Sequence, residues 1–191
     1  MTFNEFMAWD PESGRAEWVD GQVIWIPPST SDHQLLLGFV ARLVAGFDES
    51  ERLGEVIIAP FVMWLPRTPS AREPDILYVA SEHLDRLKET HLDGPADLVI
   101  EIVLPDSQTR DLVEKLNEYE AAKIPEYWVL DRLRQNAYFY LLGEDGHYHL
   151  THADDDGIYR SRVIEGFRLR VDWLWRQPLL KLADALRELP A

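Results

Sequence analysis

The 191-residue chain contains no cysteine, which excludes a disulfide-stapled fold and any cysteine-ligated metal site. Long apolar runs are missing too. The longest, Val56 to Leu65, includes Pro60 and is about half of the ~20 residues that cross a bilayer, so no membrane span is expected. The opening Met1-Thr2-Phe3-Asn4-Glu5 has neither the basic n-region nor the apolar h-region of a secretory signal, and a cytoplasmic protein is the expectation. Positive charge is scarce. Nineteen Lys and Arg face 34 Asp and Glu, a net charge of −15, which favours solubility and opposes non-specific attraction to phosphate polyanions. A nucleic-acid function therefore requires local compensation from bound metal cations or clustered arginines. Six basic residues fall between Arg160 and Lys181, whereas Met1 to Ser50 holds two.

With 46% apolar and 28% charged residues, the chain fits one domain over 1–191, long enough to bury roughly 70% of its unfolded surface. Thr2 stands three residues ahead of Glu5, the signature of a capped short helix that stops before Pro11. Ala16–Val19 and Gln22–Ile26 flank Asp20-Gly21, a tight-turn dipeptide, and predict a hairpin. From Ser31, Leu35, Leu36, Phe39, Val40, Leu43, Val44 and Phe47 recur at helical spacing as one buried face. Glu55–Leu65, Asp75–Val79 and Asp97–Leu104 are apolar enough for central strands. Thr109–Lys123 carries Leu112, Leu116, Tyr119 and Ala122 at helical spacing ahead of Pro125. Strands follow at Glu126–Leu130, Ala137–Leu142, His147–Thr151 and Phe167–Val171, and an amphipathic helix at Leu179–Leu189. Helices interleaved with a mixed sheet predict an α/β or α+β domain.

Alternation within Asp97–Leu104 sets Asp97, Val99, Glu101 and Val103 on one face and Leu98, Ile100 and Ile102 on the other. Glu101 is thus an ionisable group in an apolar strand, and it must be paired, protonated or bound to a cation. A salt bridge across the sheet is the ordinary alternative to a functional role. Asp75 follows Pro74 at the mouth of another core strand, where a turn role is the ordinary reading. Two carboxylates on neighbouring strands can share one divalent cation, with oxygen ligands at ~2.1 Å. Asp111, Lys115 and Tyr119 stand at four-residue steps on one helix side; Lys115 either reaches the same edge as Glu101 or forms an exposed pair with Asp111.

Arg72-Glu73-Pro74-Asp75-Ile76, Asp97-Leu98-Val99-Ile100-Glu101-Ile102-Val103, Asp111-Leu112-Val113-Glu114-Lys115 and Pro125-Glu126-Tyr127-Trp128-Val129-Leu130-Asp131 together resemble the Uma-type family of restriction-endonuclease-like proteins, within the PD-(D/E)xK superfamily. The resemblance extends to Glu17–Gly21 and His33 and implies a mixed β-sheet flanked by helices. It also implies an endonuclease that hydrolyses DNA with Mg²⁺, or Mn²⁺ as substitute, as a homodimer. Asp75, Glu101 and the carbonyl of Ile102 are then the metal ligands. The superfamily's lysine, two residues past the second acid, is here Val103, so Lys115 takes its role by analogy with relatives that draw it from the next helix. Glu17 and His33 match positions the family reuses near the metal and the phosphate. Leu104-Pro105-Asp106 departs from the family's Ser-Pro-Ser and leaves Asp106 or Ser107 to cap the helix.

Two other readings stay open. One is a catalytically silent nucleic-acid-binding or protein-interaction module on the same fold; the other, a carboxylate-pair glycosidase, leaves the lysine without a part. His147 and His149 share a strand face with His152 close by, but nothing nearby completes a zinc set. Asp154-Asp155-Asp156-Gly157 lacks the spacing of a calcium loop and reads as a turn. Arg168 and Arg170 share a strand face open to phosphate or to salt bridges, and tryptophans such as Trp173 and Trp175 belong to the core or a subunit contact.

Overall fold

Left-handed φ angles of 46° at Asp20 and 86° at Gly21 turn the chain between β1 (Arg15–Val19) and β2 (Gln22–Ile26), the hairpin that Asp-Gly favours. The computed structural model describes residues 1–9, 14–51, 53–104 and 110–188. Helix α1 (Phe3–Ala8) precedes the hairpin and starts on a capping box: Glu5 N–H donates to Thr2 Oγ1, and Thr2 N–H donates to Glu5 Oε2.

Helix α2 (Ser31–Glu51) buries Leu36, Phe39, Val40, Leu43 and Val44 as its spacing requires, but Leu35 is 60% exposed. It stands about 100° around the helix from Leu36, off the buried stripe, and Leu37 and Ala41 are buried at the flank. The expected single strand Glu55–Leu65 is two, β3 (Gly54–Ile58) and β4 (Val62–Leu65), which enter different sheets. The chain breaks between them at Pro60, which lacks the N–H a continuous ladder needs. Then come β5 (Ser70–Arg72), β6 (Ile76–Ala80), β7 (His91–Asp93) and β8 (Leu98–Ile102). A π-helical turn, Arg110–Glu114, runs into α3 (Lys115–Ala122). The predicted start at Thr109 and the caps Asp106 and Ser107 lie outside the described residues, as does the predicted last residue of the final helix, Leu189. The chain ends through β9 (Glu126–Asp131), β10 (Asn136–Leu142), β11 (Tyr148–Thr151), β12 (Ile158–Arg160), β13 (Arg168–Arg170) and α4 (Leu182–Glu188). Strands β5, β7 and β12, three residues each, carry no readable alternation in the sequence.

Six strands form the main sheet in the order β11-β10-β9-β8-β6-β3, with β8 and β9 parallel and the other pairs antiparallel. Strand β3, expected to be central, is an edge. A second sheet runs β2-β1-β5-β4-β7, and β12 pairs with β13. The alternation read for β8 is observed. Leu98, Ile100 and Ile102 join α2 and the β12–β13 pair in one core, while Val99 and Val103 join α3 and the second sheet in another. Both faces of β8 are thus covered, as an almost wholly apolar strand demands. The architecture is α+β: α2 and α4 on one face of the main sheet, α3 and the five-stranded sheet on the other. Among the described residues no helix is long and apolar enough to cross a membrane.

Candidate catalytic cleft

Antiparallel pairing of β6 with β8 sets Ile76 opposite Ile100, and continuing that register by one residue sets Asp75 opposite Glu101. Asp75 Oδ2 accepts from Ile102 N–H at 2.8 Å and lies 3.1 Å from His33 Nε2. Both residues are buried, as is His33, presented from the first turn of α2. Glu101 Oε1 accepts from Lys115 Nζ at 2.6 Å and Tyr119 OH at 3.1 Å. The row Asp111, Lys115, Tyr119 therefore faces the strand as its spacing suggested. Lys115 Nζ also lies 3.1 Å from Glu17 Oε1 and 3.9 Å from Asp111 Oδ1.

Glu17 comes from the second sheet. It stands beside Arg72 because β1 and β5 pair with Trp18 opposite Ala71. Arg72, 1% exposed, donates Nη1 to Glu17 at 2.9 Å and its Nε and Nη2 to Glu118 on α3. One guanidinium thus ties the second sheet to the helix that carries Lys115. Glu17 is itself only 1% exposed.

Glu17, His33, Asp75, Glu101, Asp111 and Lys115 are among the residues that wall one cleft of about 30 Å³, more than the ~10–15 Å³ that one water needs. Five carboxylates, Glu17, Glu73, Asp75, Glu101 and Asp111, face three cations, Arg15, Arg110 and Lys115. The surplus is two negative charges. Its effect differs from acid to acid. Burial raises the Glu17 carboxyl, but the Lys115 ammonium and Arg72 guanidinium more than offset this and hold it at about 2. Glu101 moves the other way. Burial pushes it up, Lys115 pulls it down, and the neighbouring Asp111, Asp75 and Glu17 leave it above the usual carboxylate range. Burial alone would lower the Lys115 amine; Glu101 and Glu17 hold it above its ordinary value and therefore charged.

The donor set suits a hard divalent cation. Asp75 binds its two neighbours through Oδ2 and Glu101 through Oε1, so Oδ1 and Oε2 have no hydrogen-bond donor among the described residues. No group of three or more His, Cys, Asp or Glu among the described residues can hold a metal by itself. A cation there would find two carboxylates among the described residues, fewer than the shell of a hard divalent ion needs.

Residues 3–172 match the model of the Uma2 family, described as "Putative restriction endonuclease". The chain belongs to the Uma2 family. A solved structure from Anabaena variabilis ATCC 29413, described as a putative nuclease belonging to DUF820, superposes with a TM-score of 0.77 at 15% identity. The match covers 94% of this chain and 99% of that one, so the two share a fold. No curated protein gives a match.

Within this Uma2 chain, Val103, two residues past Glu101, is buried in the same apolar cluster as Tyr119, Tyr127 and Val129, a place where an ammonium would lie among apolar atoms. Sequence reasoning missed Arg72 as a member of the network. Its one signal was position, an arginine directly preceding Glu73-Pro74-Asp75. The other candidates do not gather into a site: His147 pairs with Glu120 and His149 with Asp145 on the surface. Asp154 accepts from Asp156 and Ile158 N–H as a turn residue, and Trp173 is buried in the core.

Proposed function

We propose that this protein is a divalent-metal-dependent deoxyribonuclease that hydrolyses phosphodiester bonds in the cleft between Asp75, Glu101 and Lys115. The observation that carries the reading is one cleft walled by two opposed carboxylates, each with one oxygen lacking a donor among the described residues, and by a buried charged lysine. Asp75 and Glu101, with the Ile102 carbonyl, would hold Mg²⁺ or Mn²⁺. Bound there, the metal would supply Lewis acidity toward the phosphate and acidify a water.

The chain's own residues do the rest. His33 and the Ile102 N–H hold Asp75 in place, and Tyr119 does the same for Glu101. Lys115 keeps its charge in this setting, so it can orient the attacking water and offset negative charge developing on the phosphoryl oxygens. Glu17, itself held by Arg72, fixes the amine of Lys115 from the second sheet. Two strands are cut by two copies of one site, so the reading extends to a homodimer.

Cleavage of supercoiled plasmid with Mg²⁺ or Mn²⁺, and its absence with a chelator, is the test. Asp75→Ala and Glu101→Ala are expected to abolish it. The Lys115–Glu101 ion pair at 2.6 Å also fits a second reading, a silent binding module. Wild-type protein that binds DNA and cuts none under either metal decides for that module.

A further inference from the structure

The cleft does not end at His33. That residue, with Ile102 and Leu104, also walls a second cavity of about 290 Å³, closed on its far side by Arg132 and Leu133 after β9. Arg132, with Asp32, in turn walls a third of about 560 Å³, which also takes in Leu35 and Arg42 of α2 and Lys181. The three adjoin through these shared residues and outline a furrow from the carboxylates across the start of α2.

Two donors along it, Arg110 Nε and Arg132 Nε, have no hydrogen-bond partner among the described residues, although buried polar groups nearly always find one. Arg132 donates Nη1 to the Leu174 carbonyl at 3.3 Å, and Arg42 donates Nε to the Gly38 carbonyl of its own helix at 2.6 Å. Neither has a carboxylate partner among the described residues. In a chain of net charge −15, guanidinium groups left without a counter-charge call for an external anion.

The chemistry of the walls narrows which anion. The middle cavity combines the hydroxyl residues Thr30 and Ser31 with apolar Val103 and Leu133. That mixture suits a sugar and base carried beside a phosphate better than a free inorganic ion. Among the described residues Asp32 is the one acid on its wall, at an exposed position.

We propose that this furrow is the track of the nucleic-acid strand beside the bond being cut, with Arg132 gripping the phosphate next to the scissile one and Arg42 and Lys181 engaging those beyond. The proposal rests on the nuclease reading of the cleft.

Binding of a fluorescent duplex oligonucleotide, measured by anisotropy with Ca²⁺ in place of Mg²⁺ over about 50 to 200 mM salt, tests it. Arg132→Ala is expected to weaken binding about fivefold to tenfold and to flatten the slope of log affinity against log salt by about 0.9. Lys181→Ala, at an exposed position, is expected to flatten it similarly and guards against misfolding of the first variant. Arg67→Ala, on a separate cavity beside Asp97 at the other end of β8, should leave affinity and slope unchanged. The track is overturned if Arg132→Ala and Lys181→Ala bind like wild type, or if Arg67→Ala loses as much as they do. Failure of the nuclease reading shows separately, as wild-type protein that cuts no plasmid.

Discussion

Lys115 Nζ donates to Glu101 Oε1 at 2.6 Å, from a helix to the middle strand of the main sheet, with both groups buried. A buried ammonium is costly unless opposed by charge, and here Glu17 and Asp111 add theirs. The cation and the acids therefore set one another's protonation, and substitutions among them should have unequal effects.

Glu101→Gln should be mild for folding and severe for function. Burial and the neighbouring acids leave its carboxyl above the usual carboxylate range despite the Lys115 ammonium, so a smaller loss of unfolding free energy is expected there than at Glu17. Glu17→Gln, removing a carboxylate held at about 2, should cost about 2 to 4 kcal/mol because Arg72 and Lys115 lose a counter-charge. Urea unfolding of both variants without metal checks the order, and a larger loss at Glu101 would contradict it.

Acid should expose the Glu17 contribution. Its folded-state pKa lies below the ordinary value of 4.5, at about 2, so the stabilisation is fully present above about pH 4.5. It is lost as pH falls through 2, on the order of 3 kcal/mol in all. Thermal unfolding between pH 5 and pH 2 should fall less steeply for Glu17→Gln than for wild type.

Lys115→Met should reduce plasmid cleavage by about 10² to 10⁴, the usual contribution of a positioned proton-handling or charge-balancing group. Metal binding should persist or tighten, since the cleft loses its central cation. Titration calorimetry with Mn²⁺ reads this, and lost metal binding with intact folding would argue that the lysine organises the site.

Mg²⁺ should raise the unfolding temperature of wild type. At a hundred times its dissociation constant the gain is about 2.7 kcal/mol. Asp75→Asn should show almost none, because one of the two carboxylates offering an open oxygen is gone. Differential scanning calorimetry with Mg²⁺ and with a chelator separates the cases.

Much of this was readable before any coordinates. The strict alternation around Glu101 marked both faces of β8 as buried, the four-residue steps placed Lys115 and Tyr119 on one helix side, and Asp20-Gly21 marked the first hairpin, because each signal is local and periodic. The division of Glu55–Leu65 between two sheets was not legible. Nor was the exposure of Leu35, since composition alone does not say which apolar residues a neighbouring layer will cover.

By itself the sequence determined where the ionisable groups sit along strands and helices, since backbone periodicity assigns each side chain a face. Only the tertiary structure decided that Glu17, from another sheet and held by Arg72, reaches Lys115, and that Glu101 and Glu17 are driven in opposite directions. Burial and Coulomb interaction depend on distances between residues far apart in the chain, and those distances exist only once the sheets and helices have packed.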